Sequence, residues 1–199
     1  MNAKQKFLTV TAVWIVISMI LSFIDIAHPF SAAVSFVIVM LNRLLLLSAF
    51  IMLLSGGPKL FRRPSITGVA AYVVGIASAI VRFHINLQDI IHDGMPEQAF
   101  AAVSGISAFN MLYVLLGFFA YYRMARRCKK GSLLRISALV AAWWPLLSYM
   151  AFITASITHL PQMLIGMAGN FLDIFNILSS TIGHVSLAIW VLALRKELA

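Results

Sequence analysis

The chain has 199 residues, 62% of them hydrophobic, and a mean hydropathy of +0.97. A soluble domain of this length cannot hide so much apolar surface, so the composition calls for a helical membrane protein. The net charge of +9 would suit nucleic acid in a soluble chain, but its placement along the sequence argues against that partner.

Six apolar segments long enough to cross a bilayer follow in order, at about 7–26, 31–54, 66–83, 98–122, 133–157 and 165–194. They predict a compact all-α bundle of six transmembrane helices forming one domain over residues 1–199. Lys4 and Lys6 precede the first span. The first apolar run exceeds a signal-peptide core and no small-x-small cleavage site follows it, so it is expected to stay as a span. Ser55-Gly56-Gly57-Pro58 ends the second span, Lys59, Arg62 and Arg63 follow it, and Pro64 limits the start of the third. Arg123, Arg126, Arg127, Lys129, Lys130 and Arg135 surround the junction of spans four and five, where Gly131-Ser132 marks the entry to the fifth. Pro145 lies within span five and is expected to kink it. Arg195 and Lys196 close the sixth. With both termini inside, these cations fall on the cytoplasmic face, while Asp89, Asp93 and Glu97 fall outside. The pattern points to a bacterial inner membrane, with anionic lipid headgroups as partners of the basic face. Cys128 is the single cysteine, so a disulfide within the chain is excluded.

The stretch from His84 to Gln98 reads as a short amphipathic helix lying on the membrane. Ala71, Gly75 and Ala79, and likewise Ala101 and Gly105, recur every fourth residue and predict close helix approach.

The informative feature inside the spans is charge. Arg43 lies near the middle of an apolar run beside Asn42. A guanidinium at that depth costs about 2.5–3.5 kcal/mol on insertion scales, so it must face a partner or a wet cavity. Polar stripes at helical spacing accompany it: Thr11, Ser18, Ser22 and Asp25 on span one, Ser104, Ser107 and Asn110 on span four, and Asn170, Asp173, Asn176, Ser180 and His184 on span six. They are expected to converge inside the bundle. Counting from span ends puts Arg43, Asn110 and Asn176 at one depth, Asp173 about one turn shallower, and Asp25 near the outer rim. Asp173 is the expected partner of Arg43, with Asp25 second. The expectation is a ligand site of Arg43, Asn42, Asp173, Asn176, Asn110 and Asp25, in a cavity open to the exterior. The chain would bind or translocate a small solute or lipid, or serve as the membrane subunit of a larger assembly with partner subunits. A purely structural role is the alternative.

Other chemistries have sequence counterparts. His84, Asp89, His92 and Asp93 include pairs at metal-ligand spacing on one helical face. No lysine lies within a span, which excludes a retinal-type Schiff base, and there is no Gly-rich phosphate loop; no cofactor is expected. Gly105-Ile106-Ser107-Ala108 on span four, His184 on span six and Asn42 on span two resemble the catalytic pattern of the rhomboid intramembrane proteases. That resemblance implies Ser107 as nucleophile, His184 as base and Asn42 as an oxyanion donor. The chain departs from that family at Ile38 and at Val185-Ser186-Leu187, and in the short connection around His28-Pro29.

Overall fold

A computed structural model describes residues 2–28, 30–84, 96–157 and 168–197, with side chains described for 2–25, 28, 30–31, 33–83, 108–151 and 177–197. Six helices follow in order: α1 (Ala3–Ala27), α2 (Ala32–Gly56), α3 (Arg62–His84), α4 (Pro96–Arg127), α5 (Leu133–Ile157) and α6 (Ala168–Glu197). Among the described residues five of them are long and apolar enough to cross a membrane. The fold is an all-α bundle of transmembrane helices. The predicted surface helix falls mostly on residues 85–95, outside the described residues.

Local chemistry sets the helix ends. Asn2 caps α1, its side chain accepting from the Gln5 N–H at 2.9 Å while Gln5 accepts from the Asn2 N–H. Gly57 ends α2, and a 3-10 turn at Lys59–Phe61 leads into α3. Pro64 sits in the first turn of α3, where a missing N–H costs nothing. Gly131, at φ 77°, turns the chain between α4 and α5, and Ser132 then accepts the Arg135 N–H at 3.2 Å. α5 runs as one helix through Pro145.

Each helix packs antiparallel against its neighbour in sequence, and α1 packs against α6, so the six form a closed ring. The small-residue face of α3 works as expected: Ala71, Gly75 and Ala79 are buried. A Cβ on Gly75 would lie 2.8 Å from the Tyr113 ring of α4, so only glycine admits that approach.

The dry core occupies one end of the ring. Leu8, Ala12 and Ile15 of α1, Leu46 to Leu53 of α2, Ala120 to Ala125 of α4, Leu134 to Ala142 of α5 and Ala188 to Leu194 of α6 supply it. This is the end that carries Lys4, Lys6, Lys59, Arg126, Arg127, Arg195 and Lys196, and we refer to it as the basic end. At its centre Phe50, Tyr72, Tyr121 and Trp190, from four different helices, form one aromatic cluster with ring centroids 5.0–5.7 Å apart. Rings at such separations add attraction beyond their burial, and together they close the middle of the ring. More than about one turn beyond that level, toward the opposite end, the described residues of α2, α4, α5 and α6 are half-buried or exposed, while α1 keeps Ser18 and α3 keeps Gly75, Ser78 and Ala79 buried.

Candidate functional site

Arg43 sits just beyond the aromatic cluster, on the side away from the basic end. Its guanidinium donates to the Gly75 carbonyl of α3 and lies over the Tyr113 ring of α4, 4.9 Å from the centroid. A helical carbonyl has a second lone pair free for this, and the face of an aromatic ring attracts a cation. The missing Cβ at Gly75 therefore does two things: it lets Tyr113 approach α3 and places ring and carbonyl under one cation. Tyr113 is held in turn edge-on to Tyr72, with centroids 5.8 Å apart.

Amides and hydroxyls occupy nearby positions on the same three helices. Asn110 accepts from the Ser78 hydroxyl at 2.8 Å, joining α4 to α3. Asn42 has a buried Oδ1 with no hydrogen-bond partner among the described residues. Such an orphan costs about 1–3 kcal/mol unless water or a ligand satisfies it. Tyr72 and Tyr121 share a hydroxyl–hydroxyl bond of 2.8 Å beneath this layer.

The packing register decides which predicted residues share the layer. Phe50 and Trp190 stack, so α2 and α6 can be aligned there. Arg43 precedes Phe50 by seven residues and His184 precedes Trp190 by six, a depth difference of about 2 Å at 1.5 Å per residue. Asp173 lies seventeen residues before Trp190, which sets its backbone about 15 Å beyond that of Arg43. Asn176 lies about 10 Å beyond it on the same count. On this count the backbones of Arg43, Asn42 and His184 share one depth, and those of Asp173 and Asn176 lie nearer the open end than span ends suggest. Span ends misjudged this because side-chain packing, not the boundary of an apolar run, fixes axial register. The side chains of Asp173 and Asn176 lie outside the described residues.

Asp25 joins neither group. Its carboxylate accepts the Phe30 N–H at 2.6 Å and closes the α1–α2 turn. The α1 stripe also differs from expectation: Thr11 and Ser18 are buried, yet each hydroxyl bonds a carbonyl of its own helix, as does Ser22. Serine and threonine in helices have that local alternative, so their stripe needs no partner across the ring.

For the rhomboid-like pattern, the register is again informative. Tyr121 meets Trp190 edge-on at 5.0 Å. Ser107 lies fourteen residues before Tyr121 and His184 six before Trp190, so their backbones differ in depth by about 12 Å. His184 Nδ1 lies 2.7 Å from the Ser180 carbonyl oxygen, which can only accept, so the proton sits on Nδ1 and Nε2 is the acceptor. The Ser107 side chain lies outside the described residues, as do the side chain of His84 and residues Asp89, His92 and Asp93. Among the described residues no cluster of three or more metal-ligating side chains forms.

Three elements of this region were not anticipated: Tyr113 and Tyr72, and the α5–α6 link. In that link Trp144 donates to the Ser179 carbonyl at 3.0 Å and Ser148 bonds the Ser179 hydroxyl at 2.8 Å. The signal for the tyrosines was present, since a phenol inside a span needs a partner as an arginine does. No family model, curated protein or solved structure matches this chain.

Proposed function

We propose that this membrane protein binds a small solute bearing a carboxylate or other anionic group, with Arg43 as the charge that receives it. The observation that carries the reading is the setting of Arg43. Its described partners are a carbonyl and a π-face, neither of which carries the negative charge that would neutralise a guanidinium. The Asn42 oxygen, orphaned at the preceding position of α2, is assigned as an acceptor for a hydroxyl or amide of the same ligand. Asn110 and His184 border the deep layer, and Asp173, Asn176 and Asp25 lie toward the entrance. The drop in burial beyond the aromatic cluster is consistent with a cavity opening at the end opposite the cations.

On this reading the protein belongs to a bacterial inner membrane, its basic end faces the cytoplasm by the positive-inside rule, and the cavity faces outward. Such a chain serves as a binding or translocating component, alone or beside partner subunits. The test is ligand-dependent thermal stabilisation of the purified protein in detergent, scanned with short-chain carboxylates, inorganic phosphate and glycerophosphate. At least one is expected to stabilise the wild type and to lose its effect in Arg43→Gln. A structural role for Arg43 predicts no stabilising anion and a large loss of stability in the same variant.

A further inference from the structure

The outer surface of α5 and α6 carries a second, separate feature. A cleft of about 500 Å³ opens at the basic end between α1, α5 and α6, lined by Gln5, Leu133, Leu192, Ala193, Arg195 and Lys196. A groove of about 280 Å³ begins at the same Leu133 and runs between α5 and α6 past Ile136, Val140, Ile182 and Val185. From Leu133 to Val140 it extends about 10 Å along the helix axis. The cleft has cations at its rim, and the groove is apolar.

Three hydroxyls line that groove, and each is already committed. Ser137 bonds the Leu133 carbonyl at 2.8 Å, Thr181 the Ile177 carbonyl at 2.7 Å and Ser186 the Gly183 carbonyl at 2.9 Å. The groove therefore offers no free hydroxyl proton to a polar solute, and its walls suit a hydrocarbon chain. Leu133, Ile136 and Val185 are exposed where a bilayer would surround them. An apolar channel that ends in two cations at a membrane surface has the polarity of one molecule: a phospholipid with a net negative headgroup.

We propose that α5 and α6 hold one anionic phospholipid, its headgroup phosphate against Arg195 and Lys196 and an acyl chain in the groove between the helices. This site is independent of the Arg43 layer, so each can fail without the other. Basic residues at a membrane surface attract anionic lipid, and two of them give a preference on the order of tenfold. A groove that also receives the chain makes the preference local to these two cations rather than to the whole basic end.

The experiment is native mass spectrometry of the full chain released from micelles doped with equal amounts of phosphatidylglycerol and phosphatidylcholine of identical acyl chains. The wild type is expected to retain one phosphatidylglycerol on the order of tenfold more than phosphatidylcholine. Arg195→Gln with Lys196→Gln should bring the two lipids level, whereas Lys129→Gln with Lys130→Gln should leave the preference intact. Val140→Phe, which fills the groove on a surface the bilayer covers, should lower retention of both lipids. Equal retention by the wild type overturns the proposal. So does an undiminished preference in the Arg195/Lys196 variant, or equal loss in the two charge variants, which would assign the effect to total charge.

Discussion

The two ends of this ring are built on opposite terms. At the basic end, large side chains from all six helices fill the interior, and Phe50, Tyr72, Tyr121 and Trp190 close its centre. About two turns beyond, Arg43 and Asn42 of α2 and Asn110 of α4 are only half-buried, while Ser78 of α3 is buried against them. Sealing and stability belong to the first region, and chemistry to the second. A membrane helix can divide its length this way because lipid surrounds both halves equally, so the interior alone decides which half is dry.

That contrast can be broken from the core side first. Trp190→Ala should cost about 3–5 kcal/mol, since the ring is fully buried and Phe50 and Tyr121 meet it from two other helices. Reversible unfolding in detergent would measure it. Gly68→Ala should follow at about 1–3 kcal/mol. The added Cβ would lie 2.4 Å from the Phe50 ring, which Tyr72, Tyr121 and Trp190 prevent from yielding. Gly117→Ala is the matched control: nothing lies within 4 Å of its Cβ, so stability should hold or rise by up to about 1 kcal/mol.

For the hydrogen bonds beneath and within the polar layer the effects should be smaller. Tyr72→Phe leaves the Tyr121 hydroxyl without its partner and should cost about 1–2 kcal/mol. Ser78→Ala removes one bond to Asn110 and should cost about 0.6 kcal/mol, a usual value for polar pairs within membranes. If Ser78→Ala destabilises as much as Trp190→Ala, the division between the two ends is wrong.

The smallest effect lies outside the spans. The Cys128 thiol is pushed up from its ordinary value by burial, then by the Glu197 carboxylate, with Arg135 opposing. Less thiolate is therefore present at neutral pH than for an open cysteine, and alkylation should be slow there. The rate should keep climbing with pH above about 8.5, where a free thiol begins to level off. Glu197→Gln should speed the reaction modestly.

Much of this arrangement is legible in the residues. Spans, their ends at Gly57 and Gly131, and the close face of Ala71, Gly75 and Ala79 follow from composition and spacing. Arg43, Asn42 and Asn110 stand out because polar groups in an apolar run demand an account. The axial register does not follow from the sequence, because it is set where Phe50 meets Trp190 and Tyr121, contacts between residues far apart in the chain. The α1 stripe was also ambiguous, since periodicity does not reveal whether a hydroxyl turns to its own backbone. Tyr113 is the instructive omission: counted among apolar residues by its ring, it is the surface on which Arg43 rests.

Arg43 remains the point on which the division rests, and one comparison tests it directly: Arg43→Gln and Trp190→Ala unfolded side by side, each with and without the stabilising anion found for the wild type. The account predicts that Trp190→Ala loses stability but still responds to the anion, while Arg43→Gln folds nearly as well as the wild type and no longer responds. An Arg43→Gln variant as unstable as Trp190→Ala, in a protein that no anion stabilises, would contradict it.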